Sequence, residues 1–131
     1  MLVFEGEWDA LAGADAMGWG LGERRERRAI FGIRGGRNLR TLWAWSWPDE
    51  AQAFLWPDAD ATGESWMLPE GLAGIMRGRC RAVHTFLPQG VKDFNALHRR
   101  YGTGMRANWK EFLRAHFAKG LKMRKRRRPR A

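Results

Sequence analysis

Asp58 and Asp60, separated by Ala59 and followed by Ala61-Thr62-Gly63-Glu64, are the residues best suited to chemistry in this sequence. Two carboxylates two positions apart at a turn repel each other strongly when both are ionised and dehydrated, and a divalent cation is the usual relief. The pair follows the apolar run Ala51–Trp56 and precedes a helical pattern, so it is expected where a buried strand turns into a helix. Other acidic groups fall at comparable places. Glu5 follows Leu2-Val3-Phe4, and Lys92-Asp93 follows the run Arg79–Leu87, whose residues alternate polar and apolar after Cys80. The cation expected from hard carboxylate oxygens is Mg²⁺, with Mn²⁺ as the alternative.

The elements that must position these residues read as alternating strands and helices. Leu2–Phe4 is the first strand, and Ala10, Leu11, Ala14 and Met17 then recur at helical spacing. Ala29–Ile33 is the second strand, ending in Arg34-Gly35-Gly36-Arg37-Asn38, where Arg34 and Arg37 would suit a phosphate and the glycines permit a close approach. Asn38 is expected to cap a helix over Leu39–Trp47, stopped by Pro48, whose tryptophans read mainly as core. Thr62–Ile75 reads as a helix interrupted near Pro69, with Trp66, Met67, Leu68 and Leu72 inward, and Arg79–Leu87 as a fourth strand near a sheet edge. Phe94–Tyr101 is helical and closed by Gly102. Trp109, Phe112, Leu113, His116, Phe117 and Leu121 make one stripe of a final helix.

This alternation predicts an α/β fold with a four-stranded, mainly parallel sheet covered on both faces. In such sheets ligands collect at the carboxyl ends of the strands. Glu5, Asp58, Asp60 and Asp93 all fall at such ends, and that convergence says more than any motif alone. A central strand beginning at residue 2 is unusual, which raises the expectation of a fragment of a longer chain or of a chain that pairs with a partner.

Composition bounds the rest. The 131 residues fit one domain with a real core, and a net charge of +10 points to a polyanionic partner. Lys122, Arg124, Lys125, Arg126, Arg127, Arg128 and Arg130 supply much of that charge and leave the body at about +3, so the basic character belongs to the tail. That tail is expected to be disordered when free and to bind phosphates without sequence preference. Lys92 reads equally as a phosphate contact or as a surface lysine in a turn. One cysteine, Cys80, excludes an internal disulfide and a cysteine-based zinc site and makes a reducing, cytoplasmic setting the default. No apolar run approaches the ~20 residues that cross a bilayer. His84, His98 and His116 have no metal-ligand spacing.

Glu5-Gly6-Glu7-Trp8-Asp9-Ala10-Leu11 resembles the glutamate motif of Toprim domains, and Asp58-Ala59-Asp60-Ala61-Thr62-Gly63 is similar to their paired-aspartate motif. Phe31–Gly36 and Val91–Leu97 are similar to intervening segments of the Toprim modules of bacterial and phage or plasmid primases, so the resemblance spans roughly residues 2–102. It implies a Rossmann-like three-layer Toprim fold and Mg²⁺-dependent phosphoryl transfer on nucleic acid. It further implies that Asp58 and Asp60 hold the cation, that Glu5 is a metal ligand or general acid/base, and that Asp9 and Asp93 are secondary acidic groups. The expected organisation is a Toprim-like domain over 1–102, an amphipathic helix over 103–121 and a basic tail over 122–131. Primer synthesis on a single-stranded template, with a missing primase domain or replication protein as partner, is the first functional expectation. A small nuclease and a non-catalytic nucleic-acid-binding or assembly module are the alternatives. The zinc-binding domain and N-terminal catalytic subdomain usual in a primase are not part of this sequence.

Overall fold

The computed structural model describes residues 1–16, 29–33, 50–102, 104–107, 109–119 and 123–124. The expected helix over 39–47 and the site candidates Arg34, Arg37, Lys122, Lys125, Arg126, Arg127 and Arg128 lie outside these residues. Described elements follow in the order β1 (Leu2–Phe4), α1 (Glu7–Ala16), β2 (Ile30–Gly32), β3 (Gln52–Trp56), α2 (Ala61–Ser65) and α3 (Leu72–Arg77). The chain continues through β4 (Ala82–Pro88), α4 (Phe94–Tyr101), α5 (Gly104–Ala107), α6 (Trp109–His116), β5 (Phe117–Lys119) and β6 (Met123–Arg124).

Four strands are parallel, in the order β2-β1-β3-β4, so their carboxyl ends share one edge. β1 lies inside the sheet with Val3 opposite both Phe31 and Leu55, although it starts at the second residue. Its three side chains are buried on alternate faces, as expected of a strand covered on both sides. Val3, Ala53, Leu55 and Val83 face Trp66, Leu72, Ala73, Met76 and Cys80 of the α2–α3 region. Leu2, Phe4 and Trp56 face Ala12 and Ala16 of α1, Phe94 and Leu97 of α4, and Met105 and Phe117. The result is a three-layer, Rossmann-like α/β fold.

The second layer is unusually aromatic. Trp56 stacks on Phe86 at 4.2 Å and on Phe4 at 5.7 Å, while Phe94 and Phe117 meet it edge-on at 5.4 and 5.1 Å. Pairs of these geometries contribute ~0.5–1.5 kcal/mol each beyond area burial. Because Trp56 ends β3, this cluster is the floor from which the Asp58–Asp60 turn rises.

The C-terminal part departs from expectation. Instead of one helix over 103–121, the chain forms α5 and α6 and then extends at Phe117, pairing antiparallel with β4 as Pro88 opposite Phe117. Phe117 is buried against Trp56 and Phe94, and a helix continued through it would carry that ring away from the aromatic cluster. The basic tail is likewise not structureless at its start, since Met123 and Arg124 pair with Val83 and Ala82. β4 is therefore not an open edge: β3 lies on one side, β5 and β6 on the other. Around Pro69 the expected interruption separates α2 from α3, but Leu68 is 48% exposed rather than inward and Met67 is only partly covered. Among the described residues, no helix is long and apolar enough to cross a membrane.

Leu55→Ala, at a fully buried position, is expected to cost ~2–5 kcal/mol. Leu68→Ala should stay within about 0.5 kcal/mol. Urea unfolding should show a lower midpoint at an unchanged slope for the first and little movement for the second. Equal effects would contradict the core assignment.

Candidate metal centre

Glu5, Asp9, Asp60 and Asp93 at the carboxyl edge are each held by a backbone N–H. Glu5, at the turn from β1 into α1, is 7% exposed, and its Oε2 accepts from the Asp58 N–H at 3.0 Å. Asp60 precedes α2 with extended backbone, and its Oδ1 accepts from the Gly63 N–H at 2.8 Å, an N-cap that satisfies one of the helix's orphan donors. Asp93 caps α4 in the same way through Ala96 at 2.7 Å. Asp9, 6% exposed in the first turn of α1, accepts from the Asn95 N–H at 2.7 Å and so joins α1 to α4. One more bond, Ala59 N–H to the Lys92 carbonyl at 2.6 Å, laces the turn after β3 to the turn after β4.

Two glycines make these approaches feasible. A Cβ on Gly63 would lie 1.9 Å from the Asp58 carbonyl oxygen, so the first turn of α2 can sit over the Asp58 backbone only without a side chain there. A Cβ on Gly6 would come within 2.5 Å of Asp9 Oδ2. The Asp-X-Asp-X-X-Gly spacing thus follows from packing as much as from ligation.

Carboxylate oxygens of Glu5, Asp58 and Asp60 all lie within 4.8 Å of one another, a separation that one divalent cation with ~2.0–2.6 Å bonds can bridge. Burial pushes the Asp58 carboxyl up to about 7, with the charges of Glu5, Asp9, Asp93 and Asp60 adding in that order. Asp9 is also raised, first by burial and then by Asp93 and Glu5, against the opposing hydrogen bond from Asn95. A hard-oxygen donor set in which the Asp58 carboxyl is pushed up beside other acids fits a divalent cation. These three acids form a candidate cation site.

The remaining expectations sort by geometry. Asp9 and Asp93 stand close enough to raise Asp58 but are not among the three acids whose oxygens converge, and both bond the N-terminus of α4. Lys92 is exposed and contributes its carbonyl to the lacing. Arg124 lies in β6, along the stretch of β4 that begins at Ala82 and away from the carboxyl edge. No histidine belongs to the acidic group: His84 stacks on Phe54 at 4.7 Å, His98 pairs with Asp15 at 2.7 Å, and His116 lies against Tyr101 and Phe112. The capping roles of Asp60 and Asp93 were detectable as aspartates just before helical patterns. The Asp9–Asn95 bond, spanning 86 positions, left no local signal. Neither a scan against protein-family models nor searches of curated proteins and of solved structures found a match to this chain.

A carboxyl raised above its unfolded value of 3.8 takes up a proton on folding between about pH 4 and 7. Its contribution to stability is therefore full at low pH and is lost as pH rises through that window. In a chelator, Asp58→Asn should gain stability over the parent chain as pH is raised from 5 to 8, on the order of 1 kcal/mol or more. Millimolar Mg²⁺ should stabilise only the parent. Chemical denaturation across pH checks this, and parallel profiles would remove the buried-acid argument.

Proposed function

We propose that this chain is a Toprim-type module that carries out Mg²⁺-dependent phosphoryl transfer on nucleic acid, most specifically nucleotidyl transfer in primer synthesis. The observation that carries the reading is the convergence of Glu5, Asp58 and Asp60, three acids from two strand ends far apart in sequence, on one cation-sized spacing. The order of the acidic motifs and their resemblance to Toprim motifs support it. Mg²⁺ held there would neutralise charge on a phosphate and favour ionisation of an attacking hydroxyl.

Glu5 keeps one oxygen on the Asp58 N–H and so fixes the height of the Asp58 turn above the sheet. Asp60 aligns through its bond to Gly63, which directs the N-terminus of α2 toward the same edge. Asp58, raised to about 7, can hold a proton at neutral pH and give it up when a cation arrives. Asp9 and Asp93 are positioning residues, since each holds the start of α4 beside the centre. The nucleophile, a primer 3′-hydroxyl or water, separates primer synthesis from phosphodiester hydrolysis. The same carboxylates serve either.

Incubating the chain with a labelled single-stranded template, four ribonucleotides and Mg²⁺ should produce short oligomers. Template degradation would assign the nuclease reading instead. Asp58→Ala and Asp60→Ala should each lower product formation by more than ~100-fold, beyond the 10–100-fold typical of residues that only support a ligand. No product from the parent chain, with nucleic-acid binding kept in both variants, would leave a binding or assembly module.

A further inference from the structure

α1 buries Asp9, Ala12, Gly13 and Ala16, yet it presents two large apolar side chains to solvent. Trp8 and Leu11, one turn apart on the same face, are 70% and 61% exposed, whereas Trp56 and Trp66 are buried in the two layers. Trp8, Leu11 and Ala14 meet Ile30 and Gly32 of β2 along an open groove of about 590 Å³. Gly32, at the carboxyl end of β2, closes on the turn that carries Glu5: a Cβ there would lie 2.7 Å from the Glu7 Cα and 2.9 Å from the Gly6 carbonyl oxygen. Trp8 follows Glu5 by three Cα steps of ~3.8 Å, which keeps it within about 11 Å. The groove therefore opens beside the candidate cation site.

We propose that this groove is a nucleobase-stacking subsite, in which Trp8, backed by Leu11, takes the face of an unpaired base in a single-stranded nucleic acid whose phosphate lies at the carboxylate cluster. The placement of that phosphate rests on the phosphoryl-transfer reading, while the stacking contact itself needs no cation. An indole exposed on the first turn of a helix, above an apolar floor, offers a flat π-face that any base can use. In a duplex those faces are covered by neighbouring bases, so the subsite selects single strands. Glu5, Asp58 and Asp60 nearby repel an anionic lipid surface, and the uncharged part of a nucleotide is what fits beside them. A second copy of the chain is the poorer occupant. Trp8 exposes about 175 Å², taking ~250 Å² for the whole side chain, and Leu11 adds less, against the ~800 Å² per partner of a stable interface.

Binding of the full chain to a labelled oligothymidylate of about 20 nucleotides, measured by anisotropy in a chelator across a salt series, is to be compared with binding to an abasic strand of equal length. Trp8→Ala should weaken binding to the base-bearing strand by about 5- to 100-fold and leave binding to the abasic strand unchanged. The slope of log K against log salt should not move, because stacking releases no counterions. Trp8→Phe should keep most of the affinity, and circular dichroism should show both variants folded. An unchanged affinity in the folded Ala variant, or an equal loss on both strands, would overturn the proposal. A concentration-dependent dimer that Trp8→Ala disperses in sedimentation would reassign the groove to a second copy of the chain. The phosphoryl-transfer reading fails separately: if the parent makes no product with Mg²⁺ but the base-specific loss at Trp8 persists, the subsite stands without the reaction. A parent that binds neither strand would remove both.

Discussion

Mutual repulsion among carboxylates is the constraint on which the rest of this structure depends. Five acidic side chains meet at one edge of a small sheet, and two of them, Glu5 and Asp9, are nearly inaccessible to water. Left alone, such a group would neutralise or push the loops apart. Backbone N–H groups of Asp58, Gly63, Asn95 and Ala96 hold four of the five in place. Hydrogen bonds to charged acceptors are worth ~1.5–3 kcal/mol each, enough to offset much of the crowding but not to abolish it. Burial first, and then the charges of Glu5, Asp9, Asp93 and Asp60, push the Asp58 carboxyl up to about 7.

The same bonds serve architecture and chemistry together. Asp60 and Asp93 satisfy donors that the first turns of α2 and α4 would otherwise leave open, so each helix start is tied to the edge where a ligand would sit. Beneath them, Trp56 and its aromatic neighbours make a stiff, apolar base. That base lowers the local dielectric, strengthening both the repulsion between the acids and their attraction for a cation. The close approach at Gly63 links the two functions, because a Cβ there would lie 1.9 Å from the Asp58 carbonyl oxygen and lift α2 off that backbone.

Much of the parallel core was legible in the sequence because short apolar runs ending in acid or glycine carry their own signal. Leu2–Phe4, Ala51–Trp56 and Phe94–Tyr101 were placed to within a residue, and the joint placement of Glu5 with Asp58 and Asp60 followed from strand order. The C-terminal region was not legible for a physical reason. Phe117 fits a helical stripe with Phe112 and Leu113, yet it reaches the aromatic cluster only if the chain straightens after His116, and periodicity carries no information about that tertiary choice. The β6 pairing was hidden in the same way, since Met123 and Arg124 sit within a charge run whose composition reads as solvated. Within the site, Asp9 looked like a peripheral acid until its bond to Asn95 placed it under α4.

The lone cysteine has a practical consequence. Cys80 lies with Trp66, Leu72 and Met76 in the layer formed by the α2–α3 region, fully shielded. Its thiol becomes reactive only when that layer lifts from the sheet, and the same layer begins with the turn that carries Asp60. Alkylation kinetics under native conditions therefore measure how often one wall of the acidic centre opens, a local opening free energy read at a native thiol.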